Sequence, residues 1–438
     1  MSIYDYESAF GVEDKTSSGM RKAIEEWFSL YYGEEGDGDP SQRIAYTVVN
    51  KIVKTMFGEY QVAADTEFAQ MVARSVAPYR SRAMQMTLVG GECFLKPNIT
   101  VDGFTFTLIP RNNILVFRRN ALGEPVDVGT VEKSTFGKFY YTLLERRWVD
   151  DDGFLTIENR LYRSLNAQSL GGEVVLSDHP AYGNLAASYC YESPMGLGLI
   201  ALKTPMLNCV DGSSDAVAVY AAATGLIRNI DRNEAQLNGE FSRGESRILV
   251  SADLLDGQKQ LTDNLFVGLD EDPDQVGLTI FSPQLREQSY LARKQEYLRN
   301  VESVIGLKRG LLSDANVEER TATEIASSAA DYNLTVMDFQ RVWEEGLKKL
   351  VALCATLWEL YGMGSAETGT ISVDWGNGIL YDEDTVWQGY MAMVEKGLLK
   401  PEIALAWRFN LPADTPEQQA QIRAKWMPAN IVDESAMS

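Results

Sequence analysis

Residues 318–326 read EERTATEIA and open the longest helical pattern in the chain. Thr321 and Glu324 have the spacing of a capping box, in which the threonine oxygen accepts from a backbone N–H and the glutamate bonds back to the cap residue. Glu318 and Glu319 lie just upstream, where negative charge complements the positive end of a helix dipole. A catalytic threonine is the alternative, but it needs a base or a free N-terminal amine beside it, and neither is visible. The stretch therefore predicts a helix that begins at Thr321.

The helix predicted downstream is unusually long. Apolar residues recur at steps of three or four from Ile325 to Tyr361. At 1.5 Å per residue, a helix from Thr321 to Tyr361 would span roughly 60 Å, which asks for a structural reason. Gly346 lies inside this run, where we expect a bend to be least costly.

Two more helices are predicted upstream of this one. They cover about 215–237 and 285–305 and flank an insert of about 45 residues, the size of a small subdomain. The insert contains a predicted strand, SRILVSA, and an acidic segment, GLDEDPDQVG. Between residues 239 and 283 it has nine acidic residues against three basic ones, so we expect its surface to be acidic.

The remaining segments predict an α+β fold. Two amphipathic helices, 19–32 and 44–57, precede a mostly antiparallel β region at 87–182, where the residue pattern changes to a period of two. This region contains hairpins that turn at Asp102-Gly103 and Asp152-Gly153. The C-terminal part contains a strand, TISVDW, followed by three short helices. Their predicted start signals are Asp382 or Asp384, Pro401, and Thr415 with Gln418.

The net charge argues against a protein that reads DNA sequence. The chain has 40 Lys+Arg against 62 Asp+Glu, a formal net charge of −22. A protein that reads DNA sequence neutralises phosphates with basic residues, so this composition argues against such a protein. It is compatible with a protein past which DNA slides, although acidity alone usually indicates only solubility.

Composition also bears on compartment. The N-terminus lacks the pattern of a signal peptide, and no apolar run approaches the ~20 residues of a membrane helix. Four widely spaced cysteines with no CxxC pair are expected to be buried free thiols of an intracellular protein.

Three local patterns resemble chemical sites but are incomplete. Gly196-Leu197-Gly198 with Ala201 matches G-x-G-x-x-A, yet Pro194 and Pro205 interrupt the strand and helix that a dinucleotide site needs.

A calcium loop begins with acidic residues at the spacing of Asp270, Asp272 and Asp274. Such a loop also needs Gly at its sixth position and Glu at its twelfth, where this chain has Gln275 and Phe281. His179, the one histidine, lies in the turn SDHP with no serine or cysteine motif around it. The sequence therefore predicts no enzymatic activity, no cofactor and no metal site.

The order of elements resembles the portal proteins of long-tailed bacteriophages of Gram-positive hosts. The segment TATEIASSAADYNLTVMDFQ carries the most specific likeness. KAIEEWFSLYYGE, LVGGECFLKPNI, SPMGLG, SVDWGNGILYDEDT and EKGLLKPEIAL occur in the family's order around it. The likeness runs along the whole chain, which is short at its C-terminal end.

The resemblance implies a role for each part of the chain. In that family about twelve subunits form a ring at one capsid vertex, and DNA passes through its axis without sequence specificity. The implied parts are a wing (1–212), stem helix 1 (213–238), a clip (239–283), stem helix 2 (284–305), a tunnel loop (306–320), a long tunnel helix (321–369), a strand returning to the wing (370–381) and a helical crown (382–438).

The resemblance also implies partners and site residues. Partners would be other copies of the chain, double-stranded DNA, the terminase large subunit, the major capsid protein and scaffold, and a head-completion or adaptor protein, but no membrane. The protein would assemble in the host cytoplasm and reside in the virion. Candidate residues are Lys308, Arg309 and Arg320 near DNA, Thr321 and Glu324 at the helix cap, and Arg243, Arg247, Lys259, Asp270, Asp272 and Asp274 for clip docking.

Alternatives remain at this point. Lys308 and Arg309 could form a salt bridge between subunits instead of contacting phosphates. A non-portal capsid adaptor or scaffold-type interaction protein would share the acidity but would not explain the order of helix, insert, helix, loop and long helix. A metal-dependent hydrolase that uses the aspartate cluster ranks third.

Overall fold

The protein is described by a computed structural model. The described residues are 3–34, 39–243, 247–251, 260–261, 266–269, 279–281, 285–314, 322–376, 383–409, 411–413 and 415–427. The chain forms two compact units, Met1–Asp374 and Trp375–Ser438. Both helices and strands are abundant, and the predicted α+β class is confirmed.

The helices are α1 (Glu7–Phe10), α2 (Ser18–Tyr32), α3 (Ile44–Met56), α4 (Glu67–Val76), α5 (Arg80–Gly90), α6 (Thr224–Arg243), α7 (Glu287–Ile305), α8 (Ala322–Leu360), α9 (Glu383–Glu395), α10 (Pro401–Arg408) and α11 (Pro416–Trp426). The strands are β1 (Gln61–Ala64), β2 (Glu92–Thr100), β3 (Gly103–Pro110), β4 (Ile114–Arg119), β5 (Pro125–Phe136), β6 (Phe139–Val149), β7 (Phe154–Ser164), β8 (Gly172–Val174), β9 (Ser188–Pro194), β10 (Ile200–Lys203), β11 (Arg247–Ser251), β12 (Gln260–Leu261), β13 (Phe266–Leu269), β14 (Thr279–Phe281) and β15 (Ile371–Asp374).

The two predicted N-terminal helices are confirmed as α2 and α3. Ser17 caps α2 by accepting a hydrogen bond from Met20 N–H at 3.1 Å. The apolar side chains that the period placed on one face of α2 are all buried: Met20, Ile24, Trp27, Phe28 and Tyr31.

Antiparallel sheets follow these helices, as predicted. Strands β4 to β8 form one sheet in chain order, with β9 also paired to β7. A second sheet has the order β10-β2-β3. Both predicted hairpins are present, since β2 pairs with β3 and β6 pairs with β7. The β region begins later than Thr87 because α5 continues to Gly90, and it extends to Lys203.

A buried carboxylate links these two sheets. Glu145 on β6 forms ion pairs at 2.6 Å with Lys96 on β2 and with Arg147. Burial alone favours the neutral acid, but the two cations outweigh it and lower the pKa of Glu145 to about 2. The folded state therefore holds this group charged at neutral pH.

The first of the two paired helices starts later than the sequence predicts. We expected a helix from Asp215, with stem helix 1 at 213–238, but α6 begins at Thr224. Asp215 is instead paired with Arg119 and lies 3.5 Å from the buried Arg111. Val217 to Tyr220 cross the core, with the Tyr220 hydroxyl donating to the carbonyl of Trp27 at 2.8 Å. These tertiary contacts override the helical pattern of the segment.

The long helix is confirmed, with α8 covering 39 residues. Its middle packs on the N-terminal helices: Tyr332 donates to Thr55 on α3 at 2.8 Å, and Trp343 donates to Tyr60 at 3.1 Å. Gly346 has a packing role, since a Cβ there would lie 2.3 Å from the Leu202 side chain on β10. After α8, β15 pairs antiparallel with β1.

The insert between α6 and α7 contains β11 to β14 in the order β12-β13-β11-β14, with β11 and β13 parallel. The predicted strand SRILVSA corresponds to β11. The insert is therefore a small sheet between two long helices.

The unit Trp375–Ser438 contains the three predicted short helices α9, α10 and α11. Pro401 begins α10, and Thr415 with Gln418 forms the predicted capping box at the start of α11. Asp382 lies outside the described residues, so its capping role stays a prediction. Glu402 on α10 is buried and pairs with Arg423 on α11, which ties these two helices together.

Candidate functional site

Helices α6 and α7 form an antiparallel pair. Glu240 pairs with Arg286 at 2.9 Å, and Glu234 pairs with Lys294 at 2.7 Å. Residue numbers rise along α7 while those of their partners fall along α6, so the two helices run in opposite directions. The pair therefore carries the insert at one end and the loop after α7 at the other.

The two halves of α7 differ in exposure. Leu298, Val301 and Ile305 are buried in the second half, whereas Leu291 in the first half is 39% exposed. The buried stripe also contains an acid, Glu302, whose exposure is 0%. A carboxylate at such a position needs hydrogen-bond partners, because burying an unpaired charge is costly.

Glu302 obtains its partners from the loop that follows α7. Its carboxylate accepts from the backbone N–H groups of Gly310 (3.3 Å), Leu312 (2.5 Å) and Ser313 (2.9 Å). It also accepts from the Ser313 hydroxyl at 2.8 Å. Four donors therefore converge on one carboxylate and fold residues 306–313 back onto the helix.

Both ends of the described segment 306–314 are fixed as well. Gly306 ends α7 in the left-handed region at φ +78°, and a Cβ there would lie 2.9 Å from the Thr335 hydroxyl of α8. At the other end, Asp314 N–H donates to the Gln295 side chain at 2.8 Å. Residues 306–314 therefore have a defined path after α7.

The predicted basic pair lies on this loop. Lys308 and Arg309 are both exposed, and the Lys308 carbonyl accepts from Leu311 N–H at 3.1 Å in a turn. Glu302 therefore fixes the backbone that presents the two cations. Sequence reasoning missed Glu302, although an acid between Leu298, Val301 and Ile305 on one helical face was a readable signal.

The other predicted site residues are not tested. Helix α8 begins at Ala322, one position after the predicted cap Thr321. The residues Arg320, Thr321, Lys259, Asp270, Asp272 and Asp274 lie outside the described residues, as do the side chains of Arg243, Arg247 and Glu324.

Two of the local motifs in the sequence lie within the described residues. His179 is buried, stacks on Tyr182 at 4.6 Å, and accepts from Ala181 N–H at 3.2 Å. The G-x-G turn at Gly196 and Gly198 is followed by strand β10 and not by the helix of a dinucleotide site.

The expectation of four buried thiols is wrong for two of them. Cys93 and Cys354 are buried, and burial raises the pKa of Cys93 to about 12, but Cys190 and Cys209 are exposed. Cys190 lies on β9, where most residues are exposed.

Two searches of the described part of the chain were negative. It holds no group of three or more His, Cys, Asp or Glu that could bind a metal ion. None of its helices has both the length and the apolar character that crossing a membrane requires.

Comparisons with known proteins bear on the family. No curated protein matches the sequence. Among solved structures, one similar chain comes from "Neck of native GTA particle computed with C12 symmetry", at a TM-score of 0.47 and 13% identity, covering 93% of this chain and 98% of that chain. The family model described as "Phage portal protein, SPP1 Gp6-like" matches residues 188–425, which is more than half of the sequence and includes α6, α7, the loop and α8. The chain therefore belongs to the SPP1 Gp6-like family of phage portal proteins.

Proposed function

We propose that this portal protein forms a closed ring of about twelve copies at one capsid vertex, where it serves as the channel for genome packaging and ejection. The observation that carries the proposal is the run of elements inside the family match: α6, a small sheet, α7, a loop held by Glu302, and α8. A capsid adaptor or scaffold without a channel would not account for membership of a portal family.

The parts receive roles in this proposal. Residues 1–212 form the wing, α6 and α7 the stem, the sheet between them the clip, 306–320 the tunnel loop, α8 the tunnel helix and 382–438 the crown. The stem's first helix begins at Thr224 in place of residue 213. The antiparallel pair α6–α7 supports the clip assignment, because it holds the insert at the end of a two-helix stalk.

The loop is the proposed point of contact with DNA. Lys308 and Arg309 are exposed on a backbone that Glu302 holds in place, so they would offer two cations at a fixed position in each subunit. Phosphate contacts of this kind are independent of sequence and weaken with salt. The formal net charge of −22 of each whole chain would keep the DNA from binding tightly.

Partners complete the proposal. The acidic clip would dock the terminase large subunit during packaging and a head-completion or adaptor protein afterwards, and the ring would contact the major capsid protein and scaffold. The protein would assemble in the host cytoplasm and remain in the virion of a long-tailed phage of a Gram-positive host. We propose no catalytic activity for the chain itself, so that terminase supplies the energy.

Electron microscopy of the purified chain tests the ring. We expect rings with an open axis at micromolar concentration and physiological salt. A population of monomers alone would overturn the proposal. Replacement of Lys308 and Arg309 by Ala should then leave the rings intact but change the amount of DNA that is protected from DNase in a packaging reaction. If this amount is unchanged at every salt concentration, the loop does not contact the DNA.

A further inference from the structure

A groove with an unusual charge runs along one side of the α6–α7 pair. Its volume is about 510 Å³, and its lining includes Arg232, Arg286 and Arg293 together with Tyr290 and Tyr297. The rest of the lining is Asn, Gln and Ser, so none of the described residues that line the groove is acidic. In a chain with 62 acidic and 40 basic residues, a lining with three arginines and no acid is unusual.

The three arginines differ in their present partners. Arg286 forms a bidentate ion pair with Glu240, with hydrogen bonds of 3.1 and 2.9 Å, and Arg232 lies 3.8 Å from Asp39. Arg293 is exposed and donates to the Tyr297 hydroxyl at 2.9 Å, with its guanidinium 5.0 Å from that ring. Within the described ranges it forms no ion pair.

The tyrosine therefore orients the guanidinium of an exposed arginine. An arginine held in this way is suited to a carboxylate, because its planar fork matches the two oxygens. Less side-chain entropy is lost on binding when the fork is already oriented.

The composition of the groove fits a protein partner better than DNA. Arg and Tyr are enriched in protein interfaces, whereas Lys, Glu and Asp are depleted, and the groove follows that pattern. Large apolar side chains are exposed on the same two helices, at Phe241 (44%) and Leu291 (39%). Two of the three arginines already contact carboxylates, which leaves little net charge for a polyanion.

We propose that this groove receives a carboxylate from a second copy of the chain, with Arg293 as the main contact. A second copy is complementary because most of its surface charge is negative. Groove-to-groove pairing would place arginine against arginine, so the partner must present a different face. Contacts between unlike faces build rings or filaments and not two-fold dimers. The inference deepens the proposed function and rests on it.

The variant Arg293→Glu tests the contact in the full chain, and Arg299→Glu is a matched control on the same helix outside the groove. We expect the midpoint concentration of ring assembly, measured by light scattering and native mass spectrometry, to rise at least tenfold for Arg293→Glu, because it places like charges together. Arg299→Glu should assemble like the wild type. Circular dichroism should show both variants folded, because neither change touches the core.

A second measurement locates the contact directly. Ser289 lines the groove and is exposed, so a photoreactive benzoylphenylalanine at this position should cross-link two copies. Peptide mapping should find the partner site outside α6 and α7. A cross-link only to added duplex DNA, or between two copies of the groove, would overturn the proposal.

The outcomes separate this inference from the ring itself. If the wild type forms rings but Arg293→Glu assembles equally well, or Arg299→Glu is equally defective, the groove is not the contact and the ring stands. If the wild type remains monomeric, both proposals fail.

Discussion

The hydrogen bonds to Glu302 allow a quantitative prediction about the loop. Glu302→Gln keeps the length of the side chain but replaces one acceptor oxygen with an amide donor. The remaining oxygen can still accept from Leu312 and Ser313, and the Ser313 hydroxyl can turn to accept from the amide. Gly310 N–H then faces a donor and loses its partner.

The expected loss follows from these four contacts. A hydrogen bond to a charged group contributes about 1.5–3 kcal/mol and a neutral one about 0.5–1.5 kcal/mol. The variant loses the weak hydrogen bond from Gly310, and its other three hydrogen bonds no longer involve a charged group. This loss of free energy is partly offset, because a neutral amide is less costly to bury than a carboxylate. We expect opening of the loop to become easier by about 2–3 kcal/mol, which corresponds to roughly 30–150-fold faster exchange.

Hydrogen–deuterium exchange of the Gly310, Leu312 and Ser313 amides measures this opening. The control is Glu296→Gln, an exposed position on the same helix that should leave these amides unchanged. If exchange in Glu302→Gln equals that of the wild type, the carboxylate does not hold the loop, and the explanation of its burial is wrong.

Three further predictions concern other parts of the chain. Gly346→Ala should not give the gain of about 1 kcal/mol in the free energy of unfolding that Ala normally brings over Gly inside a helix, because the added methyl meets the Leu202 side chain; Leu202→Ala in the same chain should release that contact, and strict additivity of the two changes in chemical denaturation would contradict it. Because the pKa of Glu145 is about 2 in the folded state and ordinarily 4.5, its contribution of about 3 kcal/mol is present above pH 4.5 and lost as pH falls towards 2. The stability of Glu145→Gln should therefore depend less on pH in this window, and parallel acid-unfolding curves would refute the assignment. Thr321→Ala should cost about 0.5–2 kcal/mol and reduce DNA packaging, whereas Thr321→Asp should preserve both ring assembly and packaging; if the two variants are equally defective, the threonine does more than cap the helix.

The long helix α8 was predictable because one of its faces is buried continuously over its described side chains. In α8 the apolar residues from Tyr332 to Leu357 recur at steps of three or four, and this spacing indicates which side of the helix faces the core. The start of α6 was not predictable, because DAVAVY reads as a helix by itself. Its conformation is decided by Arg119 and by Trp27, which lie 96 and 193 positions away from their partners.

The loop site was only half predictable. The sequence indicated a basic pair between two helices, and the structure places Lys308 and Arg309 on one exposed turn. The sequence could not indicate that the Glu302 carboxylate accepts hydrogen bonds from the backbone of Gly310, Leu312 and Ser313, because backbone N–H groups leave no signature in a sequence. Cys190 was misjudged for a related reason, because a sequence does not show which elements pack over a given face of a strand.

The closure of the first unit has a consequence for protein synthesis. Strand β15 pairs with β1, and Thr370 N–H donates to Asp65, 305 positions earlier in the chain. Because the ribosome delivers the N-terminal part first, Leu202 and the other side chains that pack on α8 stay uncovered until α8 has been made, and β1 stays without its partner until residue 374. A prematurely terminated copy that lacks α8 and β15 would therefore expose apolar side chains and an unpaired strand edge to proteases and chaperones.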